Sequence, residues 1–108
     1  MSKSSKKKNH KKNNPASKSN RILTAFNLGT AYANKGEFDA AIEQYKHALA
    51  IDPKDVNTLY NLGNAYANKG DVDAAIEQYK HALAIEPKDV NTLYNLGTAY
   101  ANKGDVDA

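Results

Sequence analysis

Several residue types that whole classes of function depend on are absent or scarce in this 108-residue chain. There is no cysteine, and hence no disulfide framework, thiolate metal site or cysteine nucleophile. The apolar runs are short, as in 82–85, and none has the length of a membrane span. The first residues lack the apolar region of a signal peptide. We therefore expect a cytoplasmic protein.

Acidic side chains are missing from residues 1–21, which carry eight basic ones. All 12 acidic side chains fall in residues 22–108, so the net charge of +3 reflects the N-terminal segment. Rich in Lys, Ser and Asn, residues 1–21 cannot bury enough apolar surface to fold, and we expect a disordered basic tail. Order should begin near Ser19 or Asn20, either of which can act as an N-cap. The tail is interpreted as solubilising, with weak non-specific binding of polyanions as the alternative.

The rest of the chain repeats itself every 34 residues. The sequence from Val56 to Gly63 returns unchanged from Val90 to Gly97, and a similar unit begins at Ile22. A fixed period of this length is typical of a solenoid array. We therefore divide the chain into a tail at 1–21, complete units at 22–55 and 56–89, and an incomplete unit at 90–108.

Each unit is predicted to form two helices. In the central unit the first helix should run from about Asn57 to Lys69, with Gly70 in a left-handed conformation after it. Asp71 is expected to cap the second helix, which Pro87 cannot continue. Two helices of this size have no complete core of their own, so each unit must stack on its neighbour.

The apolar and small residues of the central unit follow a pattern that resembles the tetratricopeptide repeat. The matching positions are Leu59, Leu62, Gly63, Tyr66, Ala75, Tyr79, Ala82 and Pro87. Leu59 stands where the family often has Trp. The resemblance covers residues 22–108 and implies an all-α, right-handed helix-turn-helix solenoid of about five helices. It also implies a groove lined by the first helices and a role as a protein–protein adaptor.

The third unit contains a first helix only, predicted from about Asn91 to Lys103. Its apolar residues Leu93, Leu96 and Tyr100 have no second helix from the same unit to cover them. We expect either that the chain is a fragment of a longer array, which we favour, or that this open end self-associates.

Asparagine forms a stripe along the first helices, opposite the apolar stripe. In the central unit, Asn57, Asn61, Asn64 and Asn68 share one helix face. Asn68 and its counterpart Asn102 lie near helix ends, where they could instead serve only as C-terminal caps. The predicted groove residues are Asn27, Asn61, Asn95, Asn57, Asn64 and Asn91, flanked by Phe26, Tyr60 and Tyr94. Because an amide both donates and accepts hydrogen bonds, Asn27, Asn61 and Asn95 could form a ladder that binds an extended peptide backbone. In the repeat domains of O-linked N-acetylglucosamine transferases, which these units resemble, Asn at this position holds substrate peptide.

Alternatives to the ladder remain. The tail is also rich in asparagine, so the stripe could reflect composition alone. The leading hypothesis is a non-catalytic module that binds an extended peptide or protein segment. The others are a substrate-recruiting repeat region of a larger enzyme, such as a glycosyltransferase, and a scaffold anchored to polyanions by its tail.

No catalytic, metal or cofactor site is predicted. His47 and His81 lie one period apart on the outer side of second helices, without acidic or cysteine companions at ligand spacing. The acidic residues near helix starts are explained by the helix dipole. There is no glycine-rich phosphate loop.

Overall fold

A computed structural model describes residues 17–104, which form five consecutive α-helices. The helices are α1 (Lys18–Asn34), α2 (Phe38–Ile51), α3 (Val56–Lys69), α4 (Val72–Ile85) and α5 (Val90–Lys103). The prediction of an all-α solenoid with five helices is confirmed. The disordered tail was predicted to reach residue 21, and this was wrong for residues 18–21, which form the first turn of α1. Residues 1–16 lie outside the described residues.

The helix boundaries follow the predicted caps except at the start of α1. Gly70 has a φ of 100°, as predicted for the residue after α3, and the Asp71 side chain accepts a hydrogen bond from the Ala74 amide at 3.2 Å. The N-cap prediction for α1 was wrong. The cap is Ser17, whose hydroxyl accepts from the amide of Asn20 at 3.2 Å. This cap satisfies one of the four N–H groups that the first turn of a helix leaves without a partner in the helix.

Two layers of helices make up the fold. Each helix packs against the next along the chain, and α1 also contacts α3 while α3 contacts α5. The first helices of the three units therefore lie side by side, with α2 and α4 packed against them. This is the nearest-neighbour stacking that a 34-residue repeat requires.

The core consists of equivalent residues at the two unit junctions. One cluster joins α2 to α3 through Ile42, Tyr45 and Leu62, and the other joins α4 to α5 through Ile76, Tyr79 and Ala99. Ala41, Ala48, Ala75 and Ala82 are fully buried where the helices approach closely. The small residues thus allow the helix backbones to approach closely, and the tyrosines fill the remaining space.

Two exposed ion pairs repeat at the same junctions. Lys69 Nζ lies 2.6 Å from Asp39 Oδ1, and Lys103 Nζ lies 3.0 Å from Asp73 Oδ1. The carboxylate raises the pKa of Lys69 through a hydrogen bond and its charge. Because these groups are solvated, each pair contributes little to the free energy of unfolding.

The helix α5 is partly covered. Leu96 and Tyr100 were expected to lack cover, but both are half-buried against the α4 cluster. The preceding unit covers them because one side of a first helix always faces the second helix before it. Leu93 is 47 % exposed, as the pattern predicted, and Val90 and Tyr94 are more exposed still.

Candidate functional site

The amide ladder predicted from sequence falls on the layer of first helices. Asn27, Asn61 and Asn95 occupy the same position in α1, α3 and α5. Their surroundings differ, however, because neighbouring residues are not identical in the three units. The three amides are therefore not equivalent binding groups.

Asn95 belongs to a hydrogen-bond network that joins three helices. Its Nδ2 donates to the Tyr60 hydroxyl at 3.0 Å and to Asn64 Oδ1 at 2.8 Å. The Tyr79 hydroxyl donates to the same Asn64 oxygen. These contacts connect α3, α4 and α5, so Asn64 and Asn95 stabilise the second unit junction as well as facing the groove.

Asn61 has no such network, although it is the counterpart of Asn95. The residues that would match Tyr60 and Asn64 are Phe26, which lacks a hydroxyl, and Thr30. Asn61 Nδ2 donates instead to the backbone oxygen of Asn57 in its own helix, at 2.9 Å. Its amide is thus held by a local contact that a ligand can replace.

The other predicted groove residues are mostly open to solvent. Asn27, Asn57 and Asn91 are exposed, and Tyr94 is 75 % exposed. Phe26 and Tyr60 are half-buried because each ring packs on a tyrosine of the following helix, with centroid separations of 5.9 and 6.2 Å. The aromatic residues flanking the stripe therefore pack mainly against the protein in the first two units, and only Tyr94 presents its ring to solvent.

A groove pocket of about 310 Å³ lies between α3 and α5. We call it the amide groove. Its lining consists of Asn64, Ala67, Asn68, Tyr79, Asn95, Thr98, Ala99 and Asn102. None of these side chains is charged, so the groove offers neutral hydrogen-bonding groups above a floor of two alanines and a tyrosine ring.

Asn68 and Asn102 are more prominent in the groove than the sequence suggested. Their position near helix ends raised the possibility that they serve only as caps. In the structure Gly70 and Gly104 provide the left-handed C-caps, with φ of 100° and 95°. The two asparagines are exposed and line the amide groove. The signal that identifies them is their spacing from Asn64 and Asn95 on the same helix faces.

The two core tyrosines have raised pKa values. Burial is the main cause of the rise of the Tyr79 pKa to about 12; the nearby Tyr60 adds to it, and the Asn95 side chain opposes it. Burial also raises the pKa of Tyr45, whose hydroxyl lies 3.0 Å from Thr30 Oγ1. Both hydroxyls therefore remain protonated near neutral pH and serve as hydrogen-bonding groups.

The described residues show no arrangement suited to metal binding. Among residues 17–104, no three His, Cys, Asp or Glu side chains cluster in a way that could hold a metal ion. His47 and His81 are both exposed on second helices. Within the same range, no helix combines the length and apolar character of a membrane span.

Comparisons with known proteins agree with the fold. The TPR repeat family matches residues 29–70 and 63–104, two segments whose starts lie one repeat apart. Two crystal structures of MamA are similar, each with 31% sequence identity, a TM-score of 0.77 and 80% of this chain covered. The matches cover 47% and 50% of those chains, so this chain spans about half their length. No curated protein matches. With more than half of its residues matched, the chain belongs to the TPR repeat family and is a protein-interaction repeat module.

Proposed function

We propose that the chain binds an extended, uncharged peptide segment along the first helices, with the amide groove as its principal site. The observation that carries this proposal is the lining of that groove, which offers amide and hydroxyl groups and no charge. An extended backbone presents alternating donors and acceptors, which side-chain amides can match in either sense. Acidic C-terminal peptides gain no advantage in such a groove.

The asparagines of the proposed site contribute to binding in two ways. Asn68 and Asn102 are exposed in the groove, and Asn27 and Asn61 extend the amide surface toward the first unit. Asn95 and Asn64 are held by Tyr60 and Tyr79 and contribute fixed groups, since ordering them costs nothing further on binding. The proposed site therefore extends beyond the ladder of Asn27, Asn61 and Asn95, and its asparagines contribute unequally to binding.

The expected affinity is low. Each hydrogen bond gains about 0.5–1.5 kcal/mol net, whereas ordering a flexible segment costs roughly 2–5 kcal/mol. Four or five such bonds leave a small surplus. Binding weaker than micromolar is therefore expected, because a dissociation constant of 1 μM requires about 8 kcal/mol. Little selection for the side chains of the peptide is expected.

The test is a titration of extended peptides against matched variants. Peptides of neutral composition are added to the unmodified chain, to an Asn68→Ala, Asn102→Ala variant, and to an Asn27→Ala, Asn61→Ala variant. The control is His47→Ala, His81→Ala, which removes exposed polar groups from the second helices at the same spacing. We expect at least tenfold weaker binding by the first variant and unchanged binding by the control, all at equal helicity by circular dichroism. Equal binding by all the proteins would show that the asparagines are surface composition only.

A further inference from the structure

Two asparagines of the amide groove hold each other's side-chain amides in fixed orientations. Both N–H groups of Asn95 Nδ2 are engaged, one by the Tyr60 hydroxyl at 3.0 Å and one by Asn64 Oδ1 at 2.8 Å. Asn64 Oδ1 also accepts from the Tyr79 hydroxyl, so both of its lone pairs are used. Each amide is therefore held by one of its two polar atoms.

The buried hydroxyl of Tyr79 determines which way round the two amides lie. Tyr79 is 2 % exposed, so its proton needs an acceptor within the protein, and Asn64 Oδ1 provides it. Asn95 must then present its nitrogen to that oxygen, because turning its amide over would bring two carbonyl oxygens together. The nitrogen of Asn64 and the oxygen of Asn95 are thus left for a ligand in the groove, which both residues line.

The first unit junction lacks this arrangement. Phe26 and Thr30 stand where Tyr60 and Asn64 stand, and the Asn61 amide donates inside its own helix. Asn61 also shows that this position stays open beside a following second helix, since α4 packs on α3 and Asn61 is still only half-buried. The fixed donor and acceptor are therefore a property of the second junction.

The fixed pair is complementary to a single residue of an extended backbone. Such a residue directs its N–H and its C=O to the same edge of the strand. Because Asn64 and Asn95 are bonded to each other, the donor left on one lies beside the acceptor left on the other. One ligand residue can therefore place its C=O on Asn64 Nδ2 and its N–H on Asn95 Oδ1.

We propose that the amide groove is specific for segments with a free backbone N–H at this contact, and that it rejects proline and other N-substituted residues there. Proline has no N–H, so it would leave Asn95 Oδ1 facing a group that cannot donate. Asn95 cannot turn its nitrogen toward the ligand without giving up both of its bonds to α3. The inference rests on the proposed function and adds to it the class of backbone that binds. Proline-rich segments, although extended, are excluded from that class.

The probes are two capped hexapeptides of alternating threonine and alanine, one unmodified and one with every backbone N–H methylated. They share the same side chains and carbonyl groups, and neither is charged. Each is titrated into the full chain isotopically labelled at asparagine nitrogen, so that the side-chain amide signals report both the dissociation constant and the site. The methylated peptide should bind more weakly by about tenfold or more, because it leaves an acceptor unpaired in the groove.

The matched variant is Tyr60→Phe, Asn64→Thr, which gives the second junction the residues of the first. It should fold, since the same pair of residues contacts Tyr45 in the first unit. Asn95 loses both of its acceptors and becomes free to turn either polar atom toward a ligand. Overall affinity should fall, and the two peptides should now differ by less than about threefold.

Four results would count against the proposal. Equal binding of both peptides by the unmodified chain, with signal changes at Asn64 and Asn95, would overturn it and leave the proposed function intact. A preference that persists unchanged in the variant would assign it to the methyl groups themselves. Rapid hydrogen exchange of the Asn95 side-chain amide in the unmodified chain, without any peptide, would mean that this amide is not held. Failure of both peptides to bind would overturn the proposed function together with this inference.

Discussion

The ring of Tyr79 lies where a side chain on Gly63 would have to be. A Cβ added at Gly63 would come within 2.5 Å of Tyr79 Cε1 and 2.8 Å of Cδ1, well inside van der Waals contact. Glycine lowers helix stability in the middle of α3, yet it permits the ring that closes the unit. The equivalent contact between Gly29 and Tyr45 shows that a helix glycine also makes room for a tyrosine ring in the first unit.

This contact predicts opposite effects of one substitution at equivalent positions. Gly63→Ala should lower the free energy of unfolding by about 1–3 kcal/mol, because the methyl displaces a buried ring. Gly97→Ala should raise stability by up to about 1 kcal/mol, since it adds helix propensity at an open position. Urea unfolding followed by circular dichroism measures both. Similar losses in the two variants would contradict the packing described for Tyr79.

Asn95 and Asn61 occupy the same repeat position but have different hydrogen-bond partners, so replacing them should have different effects on stability. Asn95→Ala removes two hydrogen bonds and leaves Asn64 and Tyr60 without that partner, which should cost about 1–3 kcal/mol. Asn61→Ala removes one exposed bond to its own helix and should change stability by less than about 0.5 kcal/mol. Thermal unfolding of the two variants provides the comparison. Equal melting temperatures would mean that the inter-unit network contributes nothing.

Stability should fall in alkaline solution because of Tyr79. Its pKa of about 12 in the folded chain exceeds the ordinary value of 10.0, so the folded state holds this proton more tightly than the unfolded state. The raised pKa of Tyr79 contributes about 2–3 kcal/mol to the free energy of unfolding. This contribution is complete below pH 10 and is lost as the pH rises through 12. Burial raises the pKa of Tyr45 as well, so part of the dependence remains without Tyr79.

Unfolding in urea at pH 8 and pH 11.5 tests this dependence. Tyr79→Phe should be less stable than the unmodified chain at pH 8, since its hydrogen bond to Asn64 is lost. It should also lose less stability between the two pH values. Tyr94→Phe, at a residue that is 75 % exposed, is the control and should leave the dependence unchanged. An unaltered pH dependence in Tyr79→Phe would show that other groups cause the alkaline loss.

The start of α1 gives a prediction from truncation. Residues 1–16 have almost no apolar content, so deleting them should leave the melting temperature nearly unchanged. Deleting 1–20 also removes the Ser17 cap and the first turn, and should lower stability further. Ser17→Ala isolates the cap and should cost about 0.5–2 kcal/mol. If deletion of 1–16 alone lowers the melting temperature by several degrees, the basic segment must contact the folded part.

The sequence by itself determined the architecture of this protein. A 34-residue period, apolar positions at helical spacing and Gly70 after α3 predicted the helices and their stacking, because such local signals do not depend on distant residues. The position of the asparagine stripe on the first helices followed from the same geometry. The surroundings of α5 were less predictable, since the cover of Leu96 and Tyr100 comes from the preceding unit.

Only the tertiary structure decided how the equivalent residues differ. Asn27, Asn61 and Asn95 occupy one repeat position, but the network of Asn95 requires Tyr60 and Asn64 on another helix. Gly63 and Gly97 occupy the same repeat position, and a Cβ on Gly63 would meet a tyrosine ring while a Cβ on Gly97 would meet nothing within 4 Å among the described residues. A repeat pattern specifies which way each side chain points from its helix. What it meets there depends on side chains 15 to 35 residues away, which only the packed structure brings together.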